Sequence, residues 1–319
     1  MIPVAPVIYE HAARCAGLTP WAASRDAAAL ADAHLAAWRI YRHTPVTLGI
    51  DLYNPEPEAF GASVGEPSGS TVPVIGQHPL ADAAGLAALP PLDPQRAGRL
   101  PLILAAIARL RAALPAEVAI SVPVQGPVSC AAGLLSMERL VMAAQDDPEA
   151  LAAGLQHLAT ALSPWIRAIA ASGAGVTVFD SAAAPPMLSP RLFRRVAAAP
   201  LAAVVACAAQ TVGRPPFLVV GGDITPIAAD LAATGCGGMI VPAETDQARC
   251  LAALAAHPRL RLRLNLPVGV VVGDDPVAYA AAIERARALA ATRPGCVIGS
   301  GVLPWDADPR TIAARLSQF

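Results

Sequence analysis

Six polar residues stand where short β-branched runs of this sequence give out: Asp51, Asp180, Asp223, Glu244, Asn265 and Ser300. Carboxylates placed this way suit general acid/base work, because neighbours and burial can push two of their pKa values apart until one holds a proton and the other does not. Asn265 adds a donor for a developing oxyanion. The residues that are missing narrow the chemistry further. All 23 basic residues are arginine, so no lysine exists to form a Schiff base or anchor pyridoxal phosphate. The six cysteines, Cys15, Cys130, Cys207, Cys236, Cys250 and Cys296, contain no CxxC or CxC pair. That spacing opposes a disulfide framework or a clustered thiolate metal site and suits a reducing, cytoplasmic setting. Against 24 acidic residues the net charge is −1, which offers no field for nucleic acid or an anionic membrane. The sequence shows no uninterrupted apolar run of membrane-spanning length and no secretory leader pattern, so a cytosolic protein without membrane contact is expected.

Residues at strand ends need a scaffold, and the chain supplies a rhythm of β-branched runs, each followed by Gly, Pro, Asn or Asp and then an alanine-rich helical stretch. The runs at 46–51, 72–75, 118–123, 176–180, 217–221, 239–241, 260–266 and 296–299 number eight, the count that closes a (β/α)8 barrel. Its active mouth lies at the C-terminal strand ends. A helix over 147–172 opens with Asp-Asp-Pro-Glu and stops at Gly173; another over 275–292 opens with Asp-Pro and closes at Pro294-Gly295. Residues 1–43 read as an N-terminal cap with a helix over 26–41, and 44–319 as the barrel of a single domain. The Pro-, Gly- and Ser-rich stretch 55–98 is long enough to be a lid or wall over the active face.

Several segments resemble the uroporphyrinogen decarboxylase and corrinoid methyltransferase superfamily. Val178-Phe179-Asp180-Ser181-Ala182, continuing through Leu188-Ser189-Pro190-Arg191-Leu192-Phe193, is similar to the family's "fDs.a..lSP..F" segment. Gly49-Ile50-Asp51-Leu52-Tyr53-Asn54 with the following Glu56 and Glu58 resembles its first strand and loop, and Val122-Pro123-Val124-Gln125-Gly126-Pro127 its "v.GPfT" signature. Such a resemblance implies a TIM barrel of the uroporphyrinogen decarboxylase type with an N-terminal helical cap. It makes Asp51 a candidate for binding or proton transfer, and Tyr53 and Asn54 candidates for orienting a substrate. Gln125 becomes a candidate donor or acceptor at the mouth, and His11, in an opening similar to "i..hAa", a candidate that either faces the mouth or packs on the cap.

The sequence departs from both chemistries of the superfamily. Where the methyltransferases carry a His-x-Cys-Gly zinc segment, this chain has Val219-Val220-Gly221-Gly222-Asp223, and Ser300 stands where the decarboxylases place a histidine. The paired arginines that grip porphyrinogen carboxylates are absent from the N-terminal arm. By subtraction, the expectation is a zinc-independent enzyme without a cofactor, acting on a small polar or carboxylated molecule by decarboxylation or a related lyase step. Asp51 and Asp180 are the expected acid/base pair, Tyr53, Asn265 and Ser300 orient the substrate, and His11, Asn54, Gln125, Asp223 and Glu244 complete its contacts. Oxygen ligands at the mouth leave room for Mg2+ or Mn2+. A methyltransferase working with a corrinoid protein is the first alternative, and a non-catalytic ligand binder the second. Barrels of this kind often pair, so a homodimer is expected.

Overall fold

A computed structural model describes residues 4–69 and 71–317. Eight parallel strands form one curled sheet: β1 (Val4–Val7), β2 (Val46–Thr47), β3 (Ile120–Gln125), β4 (Gly175–Phe179), β5 (Phe217–Val219), β6 (Gly238–Val241), β7 (Arg261–Asn265) and β8 (Cys296–Val302). From β2 to β8 they lie side by side in chain order, and β1 then pairs with β8. This is the parallel arrangement of a (β/α)8 barrel, with β1 and β2 as the two ends of the curled sheet.

The alternation of β7, Arg261-Leu262-Arg263-Leu264-Asn265, shows how a strand serves two environments. Leu262 and Leu264 are fully buried in the core against the helices, together with Val122, Val124, Val178, Leu218, Met239, Val241 and Ile298. Each such burial is worth about 1.5–3 kcal/mol. The intervening arginines and asparagine project into the barrel, as period two requires.

The chain differs from the sequence expectation in three places. Val4–Val7, assigned to the cap, is a barrel strand paired with β8 in parallel register. Its Pro6 sits at the register shift between Ala5 and Val7; proline is tolerated there because a strand hydrogen-bonded on one side only can spare an N–H. Conversely, residues 72–75 are not a barrel strand. Ile75–Gln77 instead pairs antiparallel with Ser63–Val64 in a small ribbon outside the barrel. The long helix over 147–172 is two helices, Pro148–Ala161 and Ser163–Ala171, because Pro164 at the start of the second removes an N–H that an unbroken helix would use. Other boundaries hold: Asp26 caps Ala27–Tyr41, and Asp275 caps Pro276–Ala291.

The stretch Pro190–Val212 matches a membrane span in length and apolarity. Phe193, Val196, Leu201, Val204 and Val205 of this stretch are nevertheless part of the buried core, which makes it a core helix of the barrel wall.

Candidate active site

A cavity of about 400 Å3 opens at the C-terminal strand ends. Tyr9 follows β1; Leu52 and Tyr53 follow β2; Phe179 and Ser181 stand at the end of β4, Gly221 and Gly222 after β5, Glu244 after β6, and Arg263 and Asn265 on β7. Residue Val72 of the 55–98 stretch forms part of the wall.

Arg263 is the basic residue of its lining. Its Nε and Nη2 are buried without a hydrogen-bond partner, and no carboxylate among the described residues forms an ion pair with it. Beside it, the Oδ1 of Asn265 is likewise buried and unpartnered. Room for both comes from Gly299 on β8: a Cβ there would stand 2.3 Å from Asn265 Oδ1 and 3.0 Å from Arg263 Cδ. Arg263 also lies against Tyr9, whose hydroxyl pKa is raised by burial and partly restrained by that guanidinium. Tyr9 and Tyr53 both meet Phe179 edge-on, at ring-centroid distances of 5.7 and 6.3 Å. The Tyr53 hydroxyl shares a 2.7 Å hydrogen bond with Ser181 Oγ, which also accepts from the Gly221 N–H at 3.0 Å. Glu10 lines the same cavity, and burial pushes its carboxyl pKa up.

Tyr53, Glu244 and Asn265 are thus brought together, with Glu244 at the exposed rim. The remaining sequence candidates are placed elsewhere. Asp51 is buried in a bidentate pair with Arg99, at 2.7 and 2.6 Å, and accepts a further bond from Asn54 Nδ2 at 2.8 Å. That same Asn54 nitrogen also donates to the Pro73 carbonyl. Asp180 is wholly buried behind β4, where its Oδ1 accepts from the Ser129 N–H at 2.7 Å near the start of the helix Pro127–Leu135. Burial raises its pKa to about 7. Gly126 makes this fit possible, since a Cβ there would fall 2.3 Å from Asp180 Cγ. Neither aspartate lines this cavity; Asp51 and Asn54 line an adjoining one of about 790 Å3 that shares Leu52, Tyr53, Val72 and Ser181 with it, and Asp180 lines neither, so the two aspartates do not form an acid/base pair across the mouth.

Ser300 points out of the barrel. Its Oγ accepts the Val7 N–H at 2.9 Å and donates to the Gly301 carbonyl, stitching β1 to β8. His11 bridges the Pro304 carbonyl and the Tyr41 hydroxyl, away from the mouth. Asp223 is exposed and caps the turn at Thr225. Gln125 is fully buried with both amide atoms unpartnered and does not line the cavity.

Arg263, Tyr9, Glu10 and Ser181 are the cavity residues that strand-end reasoning passed over. The alternating Arg-x-Arg-x-Asn of β7 carried the signal, because in a barrel a polar period of two faces the interior. Zinc does not fit this donor set. No histidine or cysteine lines the cavity, and among the described residues no three His, Cys, Asp or Glu side chains gather to hold a metal.

Among solved structures, a methyltransferase from Methanosarcina mazei superposes with a TM-score of 0.84 at 22% identity, covering 100% of this chain and 94% of that one. At that identity the likeness speaks for the fold. The 3-keto-D-glucoside 4-epimerase of E. coli gives a TM-score of 0.37 at 15% identity, over 74% of this chain and 86% of that one, too distant to bear on the site. No curated protein matches the sequence. The model of the uroporphyrinogen decarboxylase (URO-D) family matches residues 1–314, all eight strands included, and the chain therefore belongs to that family.

Proposed function

We propose that the barrel mouth binds a small carboxylated molecule and that the protein is a zinc-independent lyase which decarboxylates it or cleaves it by a related step. The observation that carries this reading is Arg263, a half-buried cation that lines the cavity of about 400 Å3 and has no ion-pair partner among the described residues. A half-buried cation without a counter-charge favours an anionic ligand, and a bidentate carboxylate is the partner its fork geometry fits. Stabilising a departing carboxylate in the ground state would slow its loss, so Arg263 holds the carboxylate that stays while a second one leaves. Loss of carbon dioxide leaves the bonding electron pair on the substrate carbon. Glu10, whose carboxyl burial makes harder to ionise, is the proposed donor of the proton that this carbon takes up. Tyr53, fixed by Ser181, orients the substrate against Phe179. Six unpaired cysteines suit a reducing compartment, and the cytoplasm is the proposed location.

The test is a panel of small mono-, di- and tricarboxylates, read by thermal stabilisation and by released carbon dioxide. Arg263→Gln should weaken binding about 10- to 100-fold, the worth of a charge-assisted hydrogen-bond pair. If no carboxylate stabilises the protein, or the variant binds as well as the parent, the reading fails. Methyl transfer is the second reading, favoured by the shared fold with the Methanosarcina methyltransferase. Methylcobalamin added to the purified protein together with a small thiol as methyl acceptor should keep its spectrum; demethylation with formation of the methyl thioether would put methyl transfer first.

A further inference from the structure

On the face opposite the mouth, a second cavity of about 160 Å3 lies among the N-terminal ends of β2 to β5 and β7. Two of its lining residues are arginines, Arg214 and Arg261, and none is acidic. Neither guanidinium takes part in any ion pair among the described residues. Both are seated by glycines. A Cβ on Gly175 would stand 3.2 Å from Arg214 Nη2, so the bare backbone at the start of β4 lets that guanidinium lie close. A Cβ on Gly238 would strike the Phe217 ring at 2.6 Å; without one, the ring lies across β6 and Arg261 stacks over it at 4.9 Å. Hydroxyl donors stand around the same space. Ser121 Oγ and Thr177 Oγ1 are 2.8 Å apart, and one hydrogen bond between two hydroxyls leaves one proton free to point elsewhere. Thr44 Oγ1 accepts from the Ala119 N–H, so its own proton is also free.

Two like charges converging on one cavity repel each other, and the N-terminal face of a barrel ordinarily serves stability alone. We propose that this cavity is a binding site for a compact, doubly charged tetrahedral oxyanion: inorganic phosphate or the phosphoryl end of a phosphomonoester. Two guanidinium groups match a dianion, and Thr44, Ser121 and Thr177 line the same space as the two arginines, which supplies hydroxyl donors for further oxygens of a tetrahedral ion. The site is separate from the mouth and does not depend on the carboxylate reading.

The experiment is calorimetric titration of inorganic phosphate into the full chain at constant ionic strength, with chloride as the control. Arg214→Gln and Arg261→Gln are the variants, and because both side chains are exposed, thermal melting should show the fold unchanged. Saturable binding at one site, weakened about tenfold by each substitution, is the expected result. Glycerol phosphate binding as well as phosphate would point to an esterified ligand, and its exclusion to the free ion; either supports the site. No saturable heat, or equal binding by parent and both variants, would overturn the proposal. Retention by these variants with loss in Arg263→Gln would overturn it too, by moving the ion to the mouth.

Discussion

Arg263 and Asp51 show two fates of a charge withdrawn from water. Arg263 lines a cavity with no ion-pair partner among the described residues, whereas Asp51 is saturated by Arg99, which is in turn held by Glu58 at 2.6 Å. Arg99→Met should lower unfolding free energy by about 3–5 kcal/mol, because it strands a buried carboxylate. Denaturant titration checks this. Asp180 and Glu56 belong to a third case, buried carboxyls whose pKa values burial raises to about 7. Between about pH 4 and about pH 7 the native state holds protons that the unfolded chain has released, so these groups make stability fall as pH rises. Asp180→Asn and Glu56→Gln should each flatten that slope in thermal melts across the range. If the slope is unchanged, neither carboxyl is protonated in the native state. For Glu10 the readout is kinetic: as the proposed acid, it should give a rate that declines as pH rises through its elevated pKa, a limb missing in Glu10→Gln.

At the scale of strands, legibility followed period and punctuation. The segment through Phe179, Asp180 and Ser181 located the end of β4, and the aspartates before Pro148 and Pro276 located two helix starts, because caps are set by local chemistry. β1 was hidden by Pro6, and the β-branched content of 72–75 supplied a false eighth strand. Local sequence says nothing of which strand will find a partner. The same limit explains Asp51 and Ser300: a polar residue near a strand end can turn toward the mouth or back into the wall, and only its neighbours decide. Ser300→Ala should cost about 1–3 kcal/mol, the penalty for leaving the buried Val7 N–H unpartnered, and should leave carboxylate binding intact. A loss of binding at unchanged stability would instead return Ser300 to the site.

Across the whole molecule, cation-bearing cavities lie at opposite ends of the barrel on the same inward rows: Arg263 and Asn265 above, Arg261 below. Glycines on β8, β4 and β6 clear the space in each case, so alanine at Gly299 should abolish ligand binding at the mouth without touching the lower cavity. The first strand, Val4–Val7, lies at one end of the sheet on Cys296–Val302, with Val7 bonded to a residue 293 positions away. During synthesis at about 5–20 residues per second, that first strand is made about 15–60 s before its partner. An apolar segment so exposed is an attractive target for a nascent-chain chaperone, and Tyr9, which follows it, cannot join the mouth until the last strand has been translated.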